Sequence, residues 1–183
     1  VAAVEGVPSV RVWENAGDTT DENGIPSHSL SVAVIGGIDQ LVADAIYTET
    51  VAGIGLAGNT PVEIADAGGH CRTIRIQRLT QVPIKMELDV RARTFQGCVA
   101  PDTEAIIAQL EAQLGLDADF GLVNGEDVTQ QRIIGAVTQL PGIEVDEVRM
   151  TREEPPEDIP VAETIPIAFD EIAVITQVTV NFE

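Results

Sequence analysis

Residues 12–58 read VWENAGDTTDENGIPSHSLSVAVIGGIDQLVADAIYTETVAGIGLAG, and the order of elements within them decides the fold. The loop from Asn15 to Ser27 is rich in Asp, Asn, Gly and Thr, whose side chains bond local backbone and favour turns. Leu30, Val32 and Val34 then alternate with Ser29, Ser31 and Ala33, which predicts a half-buried strand. Gly36-Gly37 ends it. Asp39 is placed to cap a helix, and Leu41, Val42, Ala45 and Ile46 predict that helix's apolar stripe. The glycines from Gly53 onward stop the helix. Gly53, Gly55 and Gly58 spell G-x-G-x-x-G, the pattern of a dinucleotide site. In such a fold the first glycine follows a strand, and the third opens a helix whose N-terminus holds the pyrophosphate. Here the glycines close a helix and precede a strand, so a phosphate would meet the partial negative charge of a helix C-terminus. The context favours a turn in which glycine permits positive φ and close packing.

Working outward, Val10 and Val12 alternate with Arg11 and Trp13 and predict a short strand. Pro61 to Ala65 and Arg72 to Leu79 predict two more, joined by the Ala67-Gly68-Gly69 turn. The first unit, residues 1–80, is therefore β-β-α-β-β. From Gln81 to Thr94, Ile84, Met86, Leu88, Val90 and Ala92 share one strand face, and Lys85, Glu87, Asp89, Arg91 and Arg93 share the other. Such strict alternation predicts an antiparallel sheet with one wet face, whose mixed signs suit cross-strand ion pairs. Pro101 and Asp102 open a helix with Ile106, Ile107, Leu110 and Leu114 as its buried stripe. A second helix is expected from Thr129 to Leu140, with Ile133, Ile134, Val137 and Leu140 inward, stopped by Pro141-Gly142. Val145 to Met150 is a strand, Glu153 to Pro160 an exposed acidic loop, and Val178, Val180 and Phe182 mark a last strand. The second unit, residues 81–183, is β-α-α-β-β. The fold class is α+β: two small mixed domains with largely antiparallel sheets.

The chain has 183 residues, 44% of them hydrophobic, enough for a packed core. Aromatics make up only 3%, so Val, Ile, Leu and Ala must fill it. Thirty acidic residues against ten basic ones give a formal net charge of −20, which repels nucleic-acid phosphates and anionic lipid. Such a surface favours solubility and partners with basic patches or apolar grooves. The cluster Arg72, Arg75, Arg78, Lys85, Arg91 and Arg93 reads as sheet-face cations paired with neighbouring acids. Cys71 and Cys98 are too few for a disulfide framework and form no C-x-x-C pair. No apolar run reaches the length of a membrane span. The chain starts at Val1 without Met and reads as a fragment.

The candidate sites are weak. Asp18, Asp21 and Asn23 before Gly24, and Asp117 and Asp119 before Gly121, hint at calcium loops. The offsets of the first fail, and the closing position of the second is Val128, not Glu. Turn formation is the better account of both. His28 and His70 are lone loop histidines, Cys98 has no nearby base, and Ser27 and Ser29 lack a G-x-S-x-G context. No catalytic, cofactor-binding or metal-ligating residue is assigned, and no enzyme activity or cofactor is expected.

Several pieces together resemble the phage baseplate J-like family. They are Val12-Trp13-Glu14-Asn15, the run Asp21 to Ser29, Gly36-Gly37, the Val42-Ala43-Asp44-Ala45-Ile46 helix, Ala52-Gly53-Ile54-Gly55 and Gly58-Asn59-Thr60. The order continues through Arg75 to Pro83, Asn124 to Val128, Leu140-Pro141-Gly142-Ile143, and Ile165 to Ala173. The ordered set spans nearly the whole chain and corresponds to the central and C-terminal parts of a family whose members extend further at the N-terminus. The resemblance implies a structural role in the tail baseplate of a virion or related injection system, made in a host cytoplasm. Such proteins pair within a wedge of the contractile tail, join wedges into a ring around the hub, and contact other wedge and sheath-initiating proteins. The ring changes diameter when contraction is triggered. The partners expected are copies of the chain and other baseplate proteins, not nucleic acid or a small-molecule substrate. A receptor- or carbohydrate-binding module of a tail is the alternative, with Trp13 and Tyr47 as its candidate aromatics.

Overall fold

A computed structural model describes residues 1–93, 101–115, 121–152 and 163–182. Its class is α+β, with mixed, mostly antiparallel sheets. Two compact units, Val1–Thr80 and Gln81–Glu183, each carry their own core. Cys98, Asp117, Asp119 and the Glu153–Pro160 stretch lie outside the described residues.

The first unit contains β1 (Ser9–Asn15), β2 (Ser29–Ile35), α1 (Asp39–Glu49), β3 (Gly55–Ala57), β4 (Thr60–Ala65) and β5 (Cys71–Arg78). The strand order is β1-β2-β5-β4, with β3 also against β2. β1 pairs antiparallel with β2, and β4 with β5; β3 and β5 both run parallel to β2. A parallel pair needs a crossover, and α1 lies in the one between β2 and β5. The core gathers Val32, Val34, Val42, Ile46, Ile64, Ile74 and Ile76.

Several expectations for this unit need correction. β2 is not half-buried: Ser29 and Ser31 are as enclosed as Val32 and Val34, because strands flank it on both sides and material covers both faces. The cap of α1 is Ile38, without a side-chain bond; Asp39 lies in the first turn and is held instead by Arg78, with Nε to Oδ1 at 3.0 Å. The buried stripe is Val42, Ala43 and Ile46, and Leu41 is 47% exposed. The helix ends at Glu49, where both the amide and the hydroxyl of Thr50 donate to the carbonyl of Ile46, four residues before the first glycine of the turn acts. The three-residue β3 has no periodicity to announce it and is absent from the expected element string.

The second unit contains β6 (Thr80–Ala92), α2 (Thr103–Leu114), β7 (Val128–Thr129), α3 (Gln130–Val137), β8 (Ile143–Arg152), β9 (Thr164–Ile165) and β10 (Glu171–Phe182). β6 is central in the order β10-β6-β8, and β7 pairs with β9. Val82, Ile84, Met86, Leu88 and Val90 line the buried face of β6. The Asp102 carboxylate caps α2 by accepting the Ala105 amide at 2.9 Å, and the Thr129 hydroxyl caps α3 by accepting the Arg132 amide. Ile106, Leu110 and Leu114 of α2 are buried, whereas Ile107 is only half-buried. α3 stops at Val137 rather than Leu140 and buries Ala136 in addition to Ile133 and Val137. β7 and β9, two residues each, are also additions to the expected string.

No helix among the described residues is long and apolar enough to cross a membrane.

Candidate functional site

The glycine turn is built by packing. Only Gly53 has a positive φ, +98°. A Cβ on Gly55 would lie 2.3 Å from the Ser29 hydroxyl, since β3 runs directly against the start of β2 and the Gly55 amide donates to the His28 carbonyl. A Cβ on Gly58 would lie 2.5 Å from the carbonyl carbon and oxygen of Ile76. Each glycine thus answers a local need of the chain.

The polar loop is likewise tied to itself. Asn15, 7% exposed, donates from Nδ2 to the carbonyls of Thr19 (2.8 Å) and Ile25 (2.7 Å) and accepts the Gly17 amide on Oδ1. The Asp21 carboxylate accepts the amides of Asn23 and Ile25, which is turn formation rather than ion ligation. Asp18 is exposed and faces His28 at 3.3 Å. His70 sits 3.4 Å from Asp66. Asp66 accepts the amides of Gly68 and His70 and bonds Arg72, so it organises the β4–β5 turn. The His70 amide is the main cause that lowers the Asp66 carboxyl below its ordinary range; partial burial opposes it, and Arg72 and Gly68 add to it. Sequence reading missed Asp66, although an Asp two residues before Gly-Gly between two strands is an Asx-turn signal.

Segments singled out far apart in sequence meet in space. Asn59 exchanges two bonds with the backbone of Arg78, and the Arg78 guanidinium donates to the carbonyls of Gly36 and Gly37 and to Asp39. In the second unit, Val128 pairs with Ile165, Asp127 accepts the Ile167 amide, Asn124 donates to the Phe169 carbonyl, and the Gly125 amide donates to the Glu171 carbonyl. The Asn124–Val128 and Ile165–Glu171 segments therefore form one clamp.

The wet face of β6 carries the expected ion pairs. Glu87 lies opposite Arg149, and Asp89 opposite Glu147. Arg149 bonds all three acids, and Asn181 of β10 donates to Glu87 and Asp89. Hydrogen bonds from Arg149, then from Asn181, hold the carboxyls of Glu87 and Asp89 below their ordinary range, and Arg149 is raised in turn. Arg91 pairs with Asp146 and Arg93 with Glu144, so most of the basic cluster is paired, as anticipated.

Several concavities indent the described residues, including the following two. One of about 210 Å³, largely apolar, lies between α2 and the first half of β10, lined by Ile107, Leu110, Leu114 and Ile175 among others. The other, about 690 Å³, lies in the first unit between residues 50–56 and the start of β5, and contains Tyr47, Val51, Ile54, Cys71, Ile74 and Arg75. Among the described residues no three His, Cys, Asp or Glu side chains converge as a metal site. No protein-family model matches this sequence, and no curated protein matches it significantly.

Proposed function

We propose that the chain is a structural component of a phage-type baseplate wedge, joining wedges into a ring around the hub and taking part in assembly and in the contraction trigger. The observation that carries this reading is the ordered set of motifs from Val12 to Ala173 that resembles the J-like family. What supports it further is the use each motif is put to. The Asn-Gly loops, Gly36-Gly37 and the glycine turn serve packing and backbone bonding, as a protein that works by being assembled requires. Two units with separate cores and several turn-rich edges offer distinct surfaces to neighbours, and assembly would stabilise them through buried interface. A change in ring diameter would require interfaces with two arrangements close in free energy.

Cryo-EM of the intact tail or injection particle tests the proposal. Density for this chain in a wedge or ring is the expected result, and a folded chain missing from purified particles would sink it. The alternative, a receptor- or carbohydrate-binding module of a tail, finds less support in the geometry: the Arg11 guanidinium stacks on one face of the Trp13 ring, 4.5 Å from its centroid.

A further inference from the structure

We propose that the cleft between residues 50–56 and the start of β5 is a docking groove for an extended, acidic–apolar segment of a partner protein. Three independent observations meet there.

The first is a free strand edge. On one side, β5 pairs from Cys71 to Ile76 with β4. On the other, its ladder with β2 joins Gln77 and Arg78 to Ala33 and Val34, and the preceding part of β2, Ser29 to Ser31, is taken by β3. β3 touches β5 but forms no ladder with it, so Cys71–Arg75 have no paired strand on the cleft side among the described residues. An unpaired row of amides and carbonyls is a template for an added strand.

The second is apolar surface. Tyr47, Val51 and Ile54 are 39%, 69% and 40% exposed, and all three line this cleft. Ile74 is buried beside them. An alternating segment laid along β5 would bring its apolar side chains onto this surface and hold its polar ones away from it.

The third is charge. Arg72, Arg78, Arg93, Arg132, Arg149 and Arg152 each pair with a carboxylate. Arg75 meets no carboxylate among the described residues; its one bond is a long 3.4 Å contact to the Gly58 carbonyl. In a chain with thirty acidic residues, a guanidinium left unpaired on a cleft wall selects a partner that brings its own carboxylate. Length, alternation of apolar and acidic residues, and a carboxylate within reach of Arg75 specify the occupant.

The probes are two synthetic peptides, acetyl-Gly-Asp-Val-Glu-Ile-Asp-Val-Gly-amide and its counterpart with Lys at each acidic position. Binding to the full chain is followed by calorimetry and by the rate at which iodoacetamide alkylates Cys71, which is exposed in the cleft. The acidic peptide should bind saturably and slow Cys71 alkylation several-fold. Arg75→Gln should weaken binding by about tenfold, the scale of one charge-assisted contact, and Val51→Asp should weaken it independently. Circular dichroism checks that both variants fold. No saturable binding, equal binding of the lysine peptide, or an unchanged affinity in both variants overturns the proposal. So does self-association by sedimentation that Val51→Asp abolishes, since the occupant would then be a second copy. The inference stands apart from the baseplate reading: a chain absent from tails leaves the peptide result untouched, and a tail protein whose cleft takes no peptide loses this inference alone.

Discussion

Arg149 grips Asp89 with both arms of its guanidinium across the β6–β8 ladder, Nη1 to Oδ2 at 2.7 Å and Nη2 to Oδ1 at 3.0 Å. Asp89 stands opposite Glu147, an arrangement of like charges that destabilises a sheet unless something intervenes. Arg149 intervenes, and the register slips between Asp89 and Val90 immediately beyond it.

Arg149→Met should therefore lower the melting temperature at neutral pH, because three acids lose their shared cation. The folded-state carboxyls of Glu87 and Asp89 lie below their ordinary range, so their contribution is complete above that range and disappears as pH falls through the folded values. The gap between wild type and variant should close in acid, below about pH 4. Thermal melts followed by circular dichroism across pH decide it; a gap that persists unchanged into acid would refute the assignment.

Glycine positions should separate by mechanism. Gly58→Ala drives a methyl group into the Ile76 backbone and should cost about 1–3 kcal/mol, the scale of overpacking. Gly135→Ala, in α3 with open space around its Cβ position, should stabilise by about 1 kcal/mol through helix propensity. Urea unfolding of both variants measures the contrast, and equal effects would contradict it.

Asn15→Asp keeps the size of the side chain and removes the Nδ2 donor, turning a carboxylate toward the carbonyls of Thr19 and Ile25. The expected loss is about 1–3 kcal/mol, that of leaving buried acceptors unmatched. Amide exchange should quicken between Asn15 and Ile25. Asn15→Asp exchanging as slowly as wild type would show that the loop is held by something else.

Leu88→Ala, at the fully buried centre of β6, should cost about 2–5 kcal/mol. The first unit carries its own core, so unfolding should become biphasic, with the second unit melting first. A single transition shifted as a whole would mean that the units unfold together.

Where a single local rule governs, the sequence is readable. β6 is announced by its alternation, α2 by Asp102, and the polar loop by residues that bond their own backbone. The failures occur where distant chain decides. Asp39 has the chemistry of a cap, yet Arg78, thirty-nine positions later, offers it a stronger partner. Ser29 and Ser31 look solvent-facing and are buried because β2 becomes the middle of a sheet. β3, β7 and β9 are too short to show a period; they exist because a neighbouring strand leaves room for them. The cleft was invisible for the same reason: it lies between residues 50–56 and the start of β5, segments that only the fold brings together, and the sequence assigned its arginine to the paired cluster.

The way the cations are spent also sets how the protein meets anything charged. Their fields are largely cancelled at close range by the acids they hold, so what reaches beyond about 8 Å, the screening length at physiological salt, is the uncompensated negative excess. An acidic visitor is repelled on approach and attracted only on arrival at Arg75. Added salt would then speed its capture, the reverse of ordinary electrostatic steering, while basic neighbours would be drawn in from a distance and slowed by the same salt.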